Sequence, residues 1–269
     1  MKKAGKISSG ILLMIFVLSI SAPFIAVHDP DTIDLDSLRE SPSLEHPFGT
    51  DSKGRDILSR ILYGGRISMS IAFAAASISM AIGLLVGLIS GYLGGRTDTI
   101  LMAFVDLILS FPSLLLAIGI SVIFPSGIYT VMIAIAAVGW ASFARVVRGH
   151  ILSLRESSFV EAAVSAGCSR IRVMFVHLMP QCIPLIIVMM GMKIGGYIIT
   201  EASLSFLGLG AQPPAATWGS MINANRAYIT SAPWMVFAPG FMIAITALCF
   251  NILSDTLRDA YGLDLRQKQ

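Results

Sequence analysis

The chain has 269 residues, a formal net charge of +3, and a composition that is 55% hydrophobic and only 13% charged, with a mean hydropathy of +0.78. Soluble domains carry about 25% charged residues, so these values exclude an ordinary water-soluble enzyme and place the chain in a bilayer. The modest charge argues against nucleic acid as a partner, and three scattered cysteines, Cys168, Cys182 and Cys249, fit neither a zinc spacing nor a disulfide framework and read as small apolar fillers.

Six stretches reach the roughly 20 apolar residues that a membrane span needs. They are about 8–27, 67–91, 99–124, 127–145, 178–203 and 234–254. The first follows Lys2, Lys3 and Lys6 as a signal peptide would, but Pro23 directly after Ser21 and Ala22 obstructs cleavage, so it reads as a retained helix. Residues 28–66 hold eight acids, among them Asp29, Asp31, Asp51 and Asp56, and are long enough to fold against a partner outside the membrane. In the second span Gly83, Gly87, Gly91 and Gly95 recur every four residues, and Gly191 and Gly195 repeat the device in the fifth. Such spacing lines one helix face with the smallest side chain and admits a close neighbour.

Cytoplasmic segments carry an excess of Lys and Arg. With the N-terminus inside, the inner segments hold twelve lysines and arginines and the outer ones six, which favours that orientation and puts both termini in the cytoplasm. The segment between spans four and five then faces the cytoplasm. It contains "SSFVEAAVSAGCSRIRVMFVHLMP", residues 157–180, a compact polar elbow in an apolar chain. Ser158 with Glu161 three residues on is a capping-box pattern, Ala162, Ala163 and Ala166 favour a short helix, and Gly167 is placed to stop it in a left-handed conformation. Ser169 is placed to cap a second helix running through Ile171, Val173, Met174 and Phe175 towards Pro180. A helix this short is marginal alone, so packing must fix it; from the residues alone, it is either a well-formed loop or a docking unit.

Glu161, Ala162, Ala163, Gly167, His177 and Pro180 resemble the EAA loop of bacterial ABC importer permeases, in the form typical of the dipeptide, oligopeptide and nickel group. "HPFGTDSKGRDILSRILYGGRISMS" (46–70), "GGRTDTILMAFVDLILSFPSLLLAI" (94–118), "EASLSFLGLGAQPPAATWGSMI" (201–222) and "FNILSDTLRDAYGLDLR" (250–266) resemble the same family in the same order, the second or C-type permease subunit, over nearly the whole chain. Two departures stand out. Ala103 occupies the position, three before Asp106, where the family usually has an arginine, and Ser254 precedes Asp255 where it commonly has glycine.

The resemblance implies an all-α polytopic integral membrane protein of six transmembrane helices, built like a type I ABC importer permease. Residues 1–66 would form an N-terminal transmembrane helix and extracytoplasmic loop, and 67–269 a five-helix core with a cytoplasmic coupling loop at about 146–177. It also implies a bacterial or archaeal inner membrane, a heterodimer with a second permease, two cytoplasmic ATPases that bind ATP and Mg, and an extracytoplasmic binding protein. Ser158, Glu161, Ala162, Ala163, Gly167, Arg170 and Arg172 would couple the spans to the ATPase, with Arg155 beside them. The loop 28–66 and the segment 204–233, with Trp218 and Trp234, would meet the binding protein. The cargo stays open between peptides and nickel or a nickel chelate.

The chain's own chemistry is sparse. No stretch fits the phosphate cradle G-x-x-x-x-G-K-[ST], so it should not hydrolyse ATP itself and needs no cofactor of its own. His28, His46, His150 and His177 lack a zinc-like spacing, and no structural metal is expected. A charge inside a span is costly and normally faces a wet cavity or a partner. Lys193 lies mid-way along the fifth span, with Tyr197 and Glu201 at i+4 and i+8 on one face. This stripe with Asp106 either lines the translocation path or holds helices together, and Glu201 either touches substrate or supports an outer gate. The rival function is an ion-coupled secondary transporter or channel, which should show internal repeats or broken helices carrying buried acids; none is evident in the sequence.

Overall fold

The computed structural model describes residues 3–262. Lys2, Arg266 and Lys268, counted above towards the inner face, lie outside the described residues. Those described form α1 (Lys3–Ile20), the single turn α2 (Ala22–Ile25), α3 (Ile57–Leu93), α4 (Gly95–Leu109), α5 (Ser113–Ile123), α6 (Ile128–Arg155), α7 (Ser158–Ser165), α8 (Arg170–Arg172), α9 (Ile183–Phe206), α10 (Trp218–Asn225) and α11 (Trp234–Ala260). Among the described residues α1, α3, α6, the helical run Arg170–Phe206 and α11 are each long and apolar enough to cross a membrane. A sixth span exists only if α4 and α5 are taken together, and these two meet at 88°.

That bend overturns the expectation of one continuous helix over 99–124. Its cause is local. Pro112 has no N–H to continue the ladder, and its ring disfavours a helical conformation at Phe111. Pro112 itself is extended in ψ at 122° and serves as the N-cap of α5. The span is thus broken, but neither of its two acids, Asp98 and Asp106, is buried.

α3 and α6 form the central pair. Gly83, Gly87 and Gly91 face α6, and a methyl group added at each would lie 2.6 Å from the Trp140 carbonyl, 2.7 Å from the Ala144 carbonyl and 2.8 Å from Ile151 Cβ, respectively. The small-residue face is thus a contact seam, as its spacing implies. Gly95 is not part of it: it stands beyond the end of α3 with φ +54° and nothing near its missing side chain. Gly191 and Gly195 pack on α11, and Gly191 faces Ser254, so the serine is accommodated by a glycine opposite. Gly5 of α1 meets Thr256 of α11, while Gly65 near the start of α3 meets Ser19 at the other end of α1. The start of α1 and the end of α11 therefore share the face that carries the end of α3 and the elbow.

On the opposite face the chain between α2 and α3 folds back on the start of α3. α3 begins at Ile57, so residues 57–66, expected in the loop, are its first turns. Asp56 is its N-cap, accepting from the Ser59 N–H at 2.7 Å. Asp51, 1% exposed, accepts from Arg55 at 2.7–2.8 Å and lies 3.8 Å from Arg60. Arg60 also donates to the Pro30 carbonyl at 2.7 Å and to Asp31 at 3.2 Å. Trp218, expected at an outer surface, is instead fully buried and donates its indole N–H to the Ile61 carbonyl at 3.0 Å. Trp234 packs beneath Gly49 of the same loop.

Candidate functional site: an elbow and a cleft

The elbow begins one residue earlier than its sequence implies. Ser157 is the N-cap of α7 and Ser158 the first helical residue, and no side chain caps the helix. The Ser157 hydroxyl donates backwards to the Leu154 carbonyl instead, so the capping box of Ser158 and Glu161 is not made. The C-terminus follows expectation. Gly167 takes φ +81°, its N–H donates to the Val164 carbonyl at 2.9 Å, and Cys168 N–H donates to the Ala163 carbonyl at 3.1 Å. These two bonds are the Schellman pattern, which needs a left-handed residue where the glycine stands. Ser169 caps α8 through the Arg172 N–H at 3.4 Å. Beyond it the chain continues as a π-helical turn over Val173–Leu178 and a 3₁₀ turn over Met179–Cys182 into α9.

Val160, Ala163, Val173, Met174 and Leu178 are buried with Leu88 of α3 and with Val147 and Ile151 of α6. Packing fixes this short helix, as its length demands. Of the residues expected to couple to a partner, Ser158, Glu161, Ala162, Gly167, Arg170 and Arg172 are exposed. Ala163 is not; it anchors the elbow to the spans. Sequence reasoning missed the apolar side chains that stand out beside these charges: Phe159 at 39%, Val164 at 52% and Ile171 at 70% exposure. Phe159 and Val164, each next in sequence to inward-facing Val160 or Ala163 and so turned about 100° from it, were the available signal. Arg155, Glu156, Glu161 and Arg170 line a cleft of about 540 Å³ between the elbow and the end of α3 at Tyr92 and Leu93.

The stripe on α9 divides. Lys193, Tyr197 and Thr200 line a cleft of about 200 Å³ whose other walls are the break at Ile108–Ser113 and the face of α6 at Gly139 and Ser142. The Tyr197 hydroxyl bonds to Ser79 at 3.2 Å and seats over Gly139, where a methyl group would come within 2.8 Å of the ring carbon Cζ. Lys193 has no ion-pair partner among the described residues. Glu201 does not line this cleft. It is fully buried, one oxygen accepts from Ser205 at 2.7 Å, and the other is left without a partner in hydrogen-bond geometry although Ser68 and Thr217 lie beside it. Asp106 is absent from the cleft as well. Its carboxylate pairs with Arg145 of α6, both side chains more than half exposed, so the partner missing at Ala103 is supplied across helices. Nearby, Arg148 holds Asp98 through two bonds of 2.6 Å, a second clamp of α4 to α6.

A multi-pass helical bundle with a packed elbow on one face and a lysine-bearing cleft at a broken span has the architecture of an importer permease. The family described as "Binding-protein-dependent transport system inner membrane component" matches residues 83–267, and the chain belongs to it. The chain is 44% identical over 250 residues to the "Glutathione transport system permease protein GsiD" of Escherichia coli, spanning 93% of this chain and 82% of that one. The protein of the same name in Shigella flexneri is 45% identical over the same extent. A solved structure titled "Inward facing conformations of the MetNI methionine ABC transporter" superimposes with a TM-score of 0.63 over 76% of this chain and 97% of its own, at 16% identity, and so shares the fold. This protein is therefore the permease subunit of an ABC importer, a transport component without an ATPase site of its own. The ion-coupled alternative falls with that result.

Proposed function

We propose that this chain forms half of the path for a small peptide, of the class to which glutathione belongs, in an ATP-driven importer. The observation that carries the cargo reading is Lys193: an ammonium set in a cleft at mid-span, unpaired among the described residues, with Tyr197 and Thr200 beside it. A cation so placed is costly unless it meets water or an anionic ligand. The free carboxylate of a peptide is such a ligand, and the name of the relatives points the same way. Nickel is less well served, since among the described residues no sulfur, imidazole or carboxylate lines this cleft.

In this reading the elbow faces the cytoplasm, where positive charge is in excess, and docks on an ATPase through Phe159, Val164 and Ile171, with Glu161, Arg170 and Arg172 around them. ATP and Mg belong to two such ATPase subunits. A second, homologous permease completes the path, and a binding protein delivers cargo to the face that carries the 26–56 loop. Asp106 and Glu201 act structurally, the first on α6 and the second beneath α10.

Replacing Lys193 by Met in the reconstituted complex tests the cargo reading. Uptake of labelled glutathione is expected to fall by about tenfold or more, the effect of about 1.4 kcal/mol of lost ligand interaction, while the complex still assembles. Uptake equal to that of the unaltered complex would refute the role given to Lys193.

A further inference from the structure

The loop ahead of α3 gathers three metal-ligating side chains that transport as proposed does not use. One ligand atom from each of His28, His46 and Asp56 lies within 4.8 Å of the other two. The two imidazole rings are 4.6 Å apart between centroids and inclined by 35°. His46 Nδ1 stands 3.0 Å from Asp56 Oδ1. Two donors on one tetrahedral ion at about 2.0–2.1 Å are separated by about 3.3 Å, so this pair already has nearly the spacing of a shared ion.

The surroundings hold each ligand as a metal requires. His28 Nε2 is 3.1 Å from the Glu45 carbonyl, which can only accept; the proton is therefore on Nε2, and Nδ1 of the neutral ring has a free lone pair. A backbone carbonyl on the far nitrogen is the usual support of a ligating histidine. Asp56 Oδ2 accepts from the Ser59 N–H at 2.7 Å, which fixes the carboxylate and leaves Oδ1 facing His46. His46 is held by its main chain: its N–H donates to Ser43 Oγ at 3.0 Å and its carbonyl accepts from Gly49 at 2.8 Å. An adjoining cleft of about 340 Å³ is lined by His28, Asp56 and Glu45, giving an entry and a further carboxylate or water as fourth ligand.

We propose that His28, His46 and Asp56 bind a late first-row divalent cation of the zinc class. Two imidazoles with one carboxylate suit zinc rather than calcium or magnesium, which prefer all-oxygen sites. The ion displaces the hydrogen bond between His46 and Asp56 and ties the chain after α2 to the first turn of α3. The site is independent of the cargo.

The test uses the intact transporter complex, purified without its binding protein, stripped with chelator and titrated with zinc chloride. One zinc per copy of this chain should bind and raise the melting temperature, as any ligand of the folded state does. His28→Ala should weaken binding by more than about tenfold, the lower end of what disturbing even the outer shell costs, and abolish the shift. In chelator its melting temperature should fall only slightly, because the partly buried His28 gives up one solvent-exposed hydrogen bond, to the Glu45 carbonyl, and caps no helix. Equal zinc affinity in the two complexes would overturn the proposal. Cobalt(II) gives a second readout on the unaltered complex alone: a visible band of four- or five-coordinate cobalt supports the site, and the weak spectrum of the aquo ion overturns it.

Discussion

In the loop ahead of α3 Asp51 is buried against Arg55 and Arg60, and Arg60 in turn is spent on Asp31 and the Pro30 carbonyl. In the elbow Glu161, Arg170 and Arg172 stand exposed, with no ion-pair partner among the described residues. Both segments are polar and both join spans, yet one consumes its charges to hold its own shape while the other is shaped by backbone bonds and apolar packing. The difference teaches that a charged loop is a candidate docking surface only if something other than its charges folds it. The Schellman turn at Gly167 and the contacts of Val160 and Ala163 do that for the elbow.

The comparison breaks most sharply at Asp51. Asp51→Ala leaves Arg55 and Arg60 buried without their carboxylate, and is expected to cost about 3–5 kcal/mol, seen as a lowered thermal midpoint of the purified complex and as proteolysis in the 26–56 loop. A smaller effect is expected at the elbow's left-handed stop. Gly167→Val should cost about 1–2 kcal/mol locally and reduce ATP-driven uptake, whereas Gly167→Asn, which tolerates that conformation, should retain most of it. Reversing the exposed charges, Arg170→Glu with Arg172→Glu, should leave stability within about 0.5 kcal/mol at each site while lowering the amount of ATPase subunit that co-purifies. Smallest of all is Ser158→Ala. A capping serine would be worth about 1 kcal/mol, but Ser158 caps nothing, so its loss should shift the melting midpoint by less than about 0.5 kcal/mol.

The helices and the family were legible because they rest on patterns repeated along the chain: apolar runs of membrane length, glycines at four-residue spacing, and motifs in a fixed order. What stayed hidden depends on single local choices or on distant partners. Pro112 bends the third span because of one missing N–H, a feature weak beside two dozen apolar residues. Asp106 meets Arg145 and His28 meets His46 only after folding, and no spacing announces either pair. Lys193, Tyr197 and Glu201 stand at four-residue intervals along α9, on one side of it. What covers that face changes along its length: a cleft at Lys193 and Tyr197, then the Ser205 hydroxyl and the α10 segment at Glu201.

The uninterrupted length of α3 ties the two faces mechanically. Its 37 residues make a rod of roughly 55 Å, with the ion-paired loop gripping its first turns and the elbow resting on its last. Rods transmit tilt: about 5° about one end moves the other by about 5 Å, close to one helical turn. A push delivered at the elbow would thus reach the loop ahead of α3 through one piece of backbone, with no break in the helix between to absorb it.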